Sequence, residues 1–174
     1  MSLSNKNILI FVDNNYQELE FWYPLLRMKE AGAKVVIVGA KAKSTYKSKH
    51  GYEVTTDESA DNINMDKFDA IIIPGGYAPD IMRINQSMLK LVRQAVLKQN
   101  KVVAAICHAP WVLVSAQVLK GKNATCYHTI KDDLMNAGAH YQDKSVVVDS
   151  NIITSRQPDD LPDFCKAIIH CLQS

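Results

Sequence analysis

A cysteine stands at the end of an apolar run in residues 101–110, KVVAAICHAP. Cys107 is followed by His108, and Pro110 comes two residues later. The run of small and β-branched apolar residues predicts a buried strand, and proline is accepted in the first turn of a helix. Cys107 therefore occupies a predicted strand-to-helix turn, where it could fill the core, bind a metal or act as a nucleophile.

Such a turn suits nucleophilic chemistry because it lifts the side chain out of the sheet. The free N–H groups of the following helix point at the turn, so we expect a lowered pKa for the Cys107 thiol. The N–H of His108 could hold an oxyanion, and Gly76 could supply a second N–H. A zinc site is a weaker interpretation, since adjacent residues rarely bind one ion and no further ligands are suitably spaced.

Two carboxyl groups, Glu18 and Glu20, follow the first predicted strand in NYQELEF. Both are ordinary residues for a first helical turn, where the helix dipole favours negative charge. A carboxylate beside a thiolate raises the pKa of the thiol, so an acid near Cys107 helps only if it is protonated and donates a hydrogen bond. An acid that acts with Cys107 would therefore share one proton with it.

The elements that must position these residues alternate along the chain. Short apolar runs predict strands over 7–13, 34–39, 68–76 and 101–106. Turn residues between β-prone stretches predict a hairpin over 45–57 and an antiparallel pair of 144–149 with 151–155. Helical periodicity and terminal signals predict helices over 15–32, 87–100, 110–119, 131–138 and 159–173. Asn14 or Asn15 is the expected N-cap of the first helix.

This alternation predicts an α/β fold in which a mostly parallel sheet carries helices on both faces. The chain has 174 residues and no linker, repeat or low-complexity stretch, so we expect a single domain over residues 1–174. Ligands bind such sheets at the carboxyl ends of the strands. The loop after Asp13, the Gly75–Gly76 turn and Cys107 all fall at that edge.

Composition argues against several classes of function. The 20 basic and 18 acidic residues give a net charge of +2, which does not indicate binding to nucleic acid or to an anionic membrane. The apolar runs are too short for a membrane span, and no secretory signal is expected. Four cysteines without metal-binding spacing predict free thiols in a cytoplasmic protein.

Six stretches together resemble the DJ-1/PfpI superfamily and, within it, the PfpI-type intracellular proteases. They are YQELEFWYPLLRMKEAG, KHGYEV, FDAIIIPGGYAPD, VAAICHAPWVLVSA, TIKDDLMNAGA and VVVDSNIITSRQPDDL. They follow one another in order over almost the whole chain. The resemblance implies a flavodoxin-like three-layer sandwich, related to the class I glutamine amidotransferase domain, with a nucleophile elbow at Cys107.

The resemblance also implies roles for individual residues. Cys107 would be the nucleophile, with His108 as its neighbouring histidine. Glu20 would be the acid that hydrogen-bonds the thiolate. Gly75 and Gly76 would line the oxyanion side of the site.

Two further site residues come from the same resemblance. Tyr127 would lie near the nucleophile, and Asp80 would reach the site from a neighbouring subunit, which implies a homo-oligomer of two or more chains. Three positions depart from the family pattern. Asp80 replaces a longer Glu, which weakens the protease interpretation, and Gln17 replaces an acid. Ala109 replaces a common glycine, which a helical backbone at that position would tolerate.

The implied function is a cysteine hydrolase or lyase without cofactor or metal: a peptidase or amidase, a glyoxalase, or a deglycase for early glyoxal adducts. We favour small dicarbonyls or their adducts over long peptides, since a cleft closed by a neighbouring subunit restricts bulky substrates. The alternative is an oxidative-stress sensor or chaperone that uses oxidation of Cys107. A flavin site is not expected because DNNYQELE lacks a phosphate-binding turn, and no His-x-Glu follows Cys107 to complete an amidotransferase triad.

Overall fold

A computed structural model describes residues 2–97 and 101–174. The strands in this part of the chain are β1 Asn7–Phe11, β2 Lys34–Gly39, β3 Thr45–Lys47, β4 Glu53–Thr55, β5 Glu58–Ser59, β6 Ala70–Ile73, β7 Val102–Ile106, β8 Asn123–Ala124, β9 His140–Tyr141, β10 Val146–Asp149 and β11 Ile152–Ser155. The helices are α1 Glu18–Glu30, α2 Ala78–Met82, α3 Gln86–Leu97, α4 Pro110–Ser115, α5 Lys131–Asn136 and α6 Leu161–Gln173. Short 3-10 turns cover Ala60–Asn62, Met65–Lys67, His128–Ile130 and Pro158–Asp160.

The central sheet of the described residues contains seven strands in the order β10-β11-β7-β6-β1-β2-β5. Neighbouring strands are parallel, except that β10 runs antiparallel to β11. The central strands β6 and β7 are buried along their whole length, because helices cover both faces of the sheet. This explains why both strands are nearly continuous apolar runs.

The helices divide into two layers. On one face, α1 and α6 contact each other, and they cover β2, β7 and β11. On the other face, α3 and α4 cover β6 and β7, with α2 and α5 packed beside α4. The buried side chains of α3 recur at helical spacing and form one apolar face: Met88, Leu89, Leu91, Val92 and Ala95. These three layers confirm the predicted α/β fold of the flavodoxin-like type.

Most predicted elements are present, but several of their ends differ. The N-cap of α1 is Gln17, not Asn14 or Asn15, because residues 14–16 form a loop in which Tyr16 bridges to Ser48 and Gly76. The helix predicted over 110–119 ends at Ser115, where the chain turns into the left-handed conformation of Gln117 with φ 58°.

The helix predicted over 87–100 is α3, and positions 98–100 of that prediction lie outside the described residues. The hairpin is β3 with β4, and the antiparallel pair is β10 with β11, both as predicted. The short helix α2, the edge strand β5 and the small β8–β9 sheet were not predicted from the sequence. None of the described helices is both long enough and apolar enough to cross a membrane.

Asn151, in the turn between β10 and β11, ties the edge of the sheet to α3. Its Nδ2 lies 3.2 Å from the carbonyl oxygen of Ala95, 3.1 Å from that of Val96 and 2.9 Å from that of Lys101. A carbonyl that loses such a donor in a partly buried place costs free energy. The side chain therefore links the turn before β11 to the last part of α3 and to the residue before β7.

The substitution Asn151→Ala should lower the free energy of unfolding by about 1–3 kcal/mol, the usual cost of leaving partly buried polar groups without a partner. Urea unfolding followed by circular dichroism measures this change. Asn136→Ala, at an exposed position of α5, is the matched control and should leave the free energy of unfolding nearly unchanged. Equal effects of the two substitutions would contradict the assigned role of Asn151.

Candidate active site

Cys107 lies at the sharp turn between β7 and α4, as the sequence predicts. Its φ is 64°, a left-handed conformation that residues other than glycine rarely adopt. Two hydrogen bonds hold the turn: the Cys107 N–H donates to the Ser155 carbonyl at 3.0 Å, and the Tyr127 N–H donates to the Cys107 carbonyl at 2.9 Å. The neighbouring β11 and the segment after β8 therefore fix the cysteine backbone.

Two backbone N–H groups point at the Cys107 sulfur, and they belong to Gly76 and His108, the two predicted donors. Gly76 adopts φ 79°, and a Cβ atom there would lie 2.5 Å from the Gln17 nitrogen and 2.6 Å from the Asn15 carbonyl oxygen. Glycine is thus required at position 76, because the loop before α1 approaches its backbone closely.

Glu20 reaches the same place from α1, where it is fully buried. Its Oε2 accepts a hydrogen bond from the Gly75 N–H at 2.8 Å. A Cβ atom at Gly75 would lie 2.5 Å from Oε2 and 2.8 Å from the Cβ of Cys107, so the two side chains meet over the glycine backbone. The other oxygen, Oε1, is buried and has no hydrogen-bond partner within the described part of the chain, which suits a protonated carboxyl group.

Burial and mutual repulsion govern the ionisation of this pair. Burial raises the pKa of Glu20 to about 7, although the Gly75 N–H, the Cys107 thiol and the charge of Lys49 oppose the shift. Burial, and then the charge on Glu20, raise the pKa of the Cys107 thiol above its ordinary range, against the two N–H groups at the sulfur.

The raised pKa of the Cys107 thiol corrects the sequence-based prediction of a lowered one. The helix that follows, α4, has only six residues, and its N–H groups do not outweigh burial beside a second acid. The expectation of a shared proton fits the geometry better. Each group disfavours ionisation of the other, so the pair titrates as a unit and carries a single negative charge after its first proton leaves.

His108 lies against the sulfur, with 3.2 Å between Nδ1 and Cys107 Sγ. Its ring is placed between Trp111 and Tyr127, with centroid separations of 5.2 Å and 5.1 Å. Burial, and then the charge of His128, lower the pKa of His108. The imidazole is therefore neutral near pH 7, where it can exchange a hydrogen bond with the sulfur.

The remaining predicted site residues divide into one near the nucleophile and one apart from it. Tyr127 stacks on His108, next to the nucleophile as expected. Asp80 is exposed in the first turn of α2, and its carboxylate has no hydrogen bond or ion pair within the described residues. A single chain thus does not join Asp80 to His108, and its role across a subunit boundary stays a prediction. Ala109 has a helical backbone, so it is tolerated at that position.

Some residues around the site were missed in the sequence. Gln17 caps α1 by accepting a hydrogen bond from the Glu20 N–H at 2.9 Å, and its place three residues before Glu20 is the available signal. Trp111 was assigned only to a helix, although it lies three residues after His108 and so shares its side of the helix start. Among the described residues, no group of three or more His, Cys, Asp or Glu side chains could hold a metal ion.

Glu18 lies outside the site and anchors the hairpin instead. It accepts hydrogen bonds from the Ser48 hydroxyl, and from the backbone N–H and the ring Nδ1 of His50, each of the latter two at 3.0 Å. Partial burial opposes its ionisation, but the hydrogen bonds from Ser48, from its own N–H and from His50 prevail and lower the pKa of Glu18 to about 2. The two neighbouring acids thus have opposite electrostatic environments.

The model of the DJ-1/PfpI family matches residues 6–171. The chain belongs to the DJ-1/PfpI family. It is 40% identical over 166 residues to the deglycase PfpI of Pyrococcus furiosus, covering 95% of this chain and 99% of that protein. It is 38% identical over 169 residues to the provisionally named cysteine protease YraA of Bacillus subtilis, covering 97% and 99%.

A solved structure of a two-domain protein from Anabaena variabilis, with a DJ-1/ThiJ/PfpI-like and a ferritin-like domain, superposes with a TM-score of 0.94. The identity is 41% over 97% of this chain, which spans about half of that longer protein, or 48%. Drosophila melanogaster DJ-1β superposes with a TM-score of 0.90 at 32% identity, covering 99% of this chain and 91% of that one. The fold of the family is therefore shared over nearly the whole chain.

The buried Glu20 should make stability fall as pH rises from about 5 to 8. Its pKa is raised from the ordinary 4.5 to about 7, so the unfolded chain loses this proton first, and stability present below pH 4.5 is lost as pH passes 7. The loss is on the order of 3 kcal/mol. Glu20→Gln, which does not titrate, should lack it. Urea unfolding at pH 5 and pH 8 measures both proteins.

Glu18→Gln is the matched control. The pKa of Glu18 is lowered, so its contribution to stability is complete above pH 4.5 and constant between pH 5 and 8. This variant should keep the pH dependence of the unsubstituted protein. The same slope in Glu20→Gln and in the unsubstituted protein would contradict the assignment of the titration to Glu20.

Proposed function

We propose that this DJ-1/PfpI protein is a cysteine-dependent enzyme that acts on small dicarbonyls and on their early adducts with protein amines. The main support is one observation: the Cys107 sulfur lies at two backbone N–H groups and beside a buried acid whose pKa is about 7. The name of the Pyrococcus furiosus relative, a deglycase, points to the same class of substrate.

In the first step, the Cys107 sulfur adds to the aldehyde carbon of a 2-oxoaldehyde. A carbon–sulfur bond forms, and the π electrons of the carbonyl move to its oxygen. That oxygen is then two bonds from the sulfur, within reach of the N–H groups of Gly76 and His108, which stabilise its charge. In an early adduct, the protein amine is bonded to the same carbon. The sulfur forms its bond to that carbon as the carbon–nitrogen bond breaks, and the amine leaves with the thiol proton, which gives the same hemithioacetal.

The proton shared by Glu20 and Cys107 is used in the steps that follow the addition. When the sulfur attacks as thiolate, the proton on Glu20 is available to the new alkoxide, and the resulting carboxylate becomes a base. Removal of the hydrogen from the former aldehyde carbon and its return to the adjacent carbon converts the hemithioacetal into a thioester. Water then hydrolyses the thioester to a 2-hydroxy acid and regenerates the thiol, so the sequence needs no external oxidant or reductant.

Access to the sulfur favours small substrates. Cys107 is only 8% exposed, and the rings of His108 and Tyr127 stand beside it. A carbonyl at the end of a short chain can enter such a place more easily than a peptide bond within a polypeptide. Peptide hydrolysis is the second candidate, supported by the name of the Bacillus subtilis relative and by the exposed Asp80.

A neighbouring subunit completes the site in this proposal. Tyr77, Ile81 and Ile84 are 68%, 39% and 73% exposed, and these apolar side chains lie in and beside the short helix α2 that carries Asp80. Apolar side chains grouped in this way commonly mark a protein–protein contact. A second copy of this chain on that side would also bring a further acid towards His108.

Cys107→Ser should abolish turnover of methylglyoxal and of glyoxal-modified peptides without added cofactor, since the nucleophile is lost. Glu20→Gln should reduce kcat by roughly 10² to 10⁴, the usual scale for the loss of a general acid–base. The measurement is product formation by each variant on dicarbonyls, glycated peptides and peptide amides in parallel.

Cys171→Ser and Glu18→Gln are the controls. Cys171 is a partly buried residue of α6, and glutamine at position 18 still accepts hydrogen bonds from Ser48 and His50. Both should keep near-normal turnover. Retained activity in Cys107→Ser would reject the proposed function, and hydrolysis of peptide amides alone would favour the second candidate.

Sedimentation should detect a dimer or larger assembly, and Ile84→Asp should shift it towards the 19.4 kDa monomer, because a buried aspartate is costly. Leu97→Asp changes an equally exposed apolar residue at the end of α3 and should leave the assembly intact. A monomeric unsubstituted protein at working concentration would reject the shared site while leaving the thiol chemistry untouched.

A further inference from the structure

The indole of Trp111 is held by residues from two other places in the chain. Its Nε1 donates a hydrogen bond to Asp133 Oδ2 in α5 at 2.7 Å. The guanidinium carbon of Arg83, just after α2, lies 5.2 Å from the indole centroid, a cation–π distance. Arg83 is itself fixed, because its Nε donates to Ser115 Oγ in α4 at 3.0 Å. The ring therefore has one defined position.

His108 connects this network to the nucleophile, because its ring contacts both Trp111 and the Cys107 sulfur. The imidazole lies at an interplanar angle of 64° to Trp111 and of 31° to Tyr127, with both centroids about 5 Å away. Its Nε2 is 3.5 Å from the Thr129 hydroxyl, while Nδ1 faces the Cys107 sulfur at 3.2 Å. Rings between two such neighbours cannot turn over without displacing one of them.

The orientation of the imidazole matters because its two nitrogens differ. In a neutral ring one nitrogen donates and the other accepts, and the partner of one fixes the role of the other. A rotation of His108 about its Cβ–Cγ bond would replace Nδ1 by a carbon at the sulfur. Without a neighbouring ring to prevent this, the two-fold character of that rotation makes both orientations accessible.

We propose that Trp111 is a positioning residue: held by Asp133 and Arg83, it fixes His108 in the orientation that presents Nδ1 to the Cys107 sulfur. The expected effect of Trp111 on turnover rests on the proposed function. Its expected effect on the reactivity of the Cys107 thiol is independent of that function, because this reactivity can be measured without any substrate.

Trp111→Phe tests the proposal, since phenylalanine keeps an aromatic ring but cannot donate to Asp133. The alkylation rate of Cys107 by iodoacetamide should change in the same direction as in His108→Ala. In the His108→Ala background, Trp111→Phe should have no further effect, because a residue that acts through another loses its influence when the other is removed. In turnover, kcat should fall about tenfold with KM nearly unchanged, since small misplacements of reacting groups slow the chemical step.

Substitutions of Asp133 separate positioning from general destabilisation. Asp133→Leu removes the acceptor and should reproduce the effect of Trp111→Phe, whereas Asp133→Asn keeps a carbonyl acceptor and should restore most of the rate. Asp132→Leu changes an exposed neighbour on the same helix and should leave the alkylation rate unchanged.

Two results would overturn the proposal: independent, multiplying effects of Trp111→Phe and His108→Ala on alkylation, or no effect of His108→Ala at all. Failure of the proposed function is recognised by a different result, which is retained turnover in Cys107→Ser. The alkylation measurements would still test the role of Trp111 in that case.

Discussion

The contact between Glu20 and Cys107 across the backbone of Gly75 is the constraint on which the site depends. The carboxyl group and the thiol approach each other only because no side chain stands between them at position 75. Because the two groups are buried side by side, they do not both ionise at neutral pH, and the pair retains a proton. Because Gly75 has no side chain, the thiol of Cys107 can pass its proton to Glu20, and Glu20 can return it.

The sheet supplies the rigidity that this contact requires. Glu20 comes from the helix after β1, Gly75 from the turn after β6, and Cys107 from the turn after β7, and these three strands are neighbours in the sheet. Their parallel register brings the three turns to one edge. The hairpin of β3 and β4 supports the same edge through Tyr16, which bridges to both Ser48 and Gly76. Residues far apart in the sequence are thus fixed by backbone pairing.

The sequence was sufficient for the parts of this arrangement that depend on local pattern. The apolar runs predicted β1, β2, β6 and β7, and the CHAP segment predicted the turn that carries Cys107. The direction of the shift in the Cys107 pKa was predicted wrongly. A helix start can be recognised in a sequence, whereas the degree of burial is a property of the packed structure. The N-cap was misplaced for a similar reason, since the path of residues 14–16 is set by pairing with a distant hairpin. Trp111 could be placed on a helix, but its contacts with Asp133 and Arg83 come from other elements.

The strained turn at Cys107 also has a consequence for protein synthesis. Its backbone is held by the carbonyl of Ser155, a residue 48 positions later, and by the N–H of Tyr127. A nascent chain whose residue 155 is still inside the ribosome cannot form the first of these bonds, and an isolated cysteine does not favour a φ of 64°. The reactive geometry is therefore assembled only after residue 155 has left the ribosome. Until then, the backbone of Cys107 lacks one of the two hydrogen bonds that fix its turn.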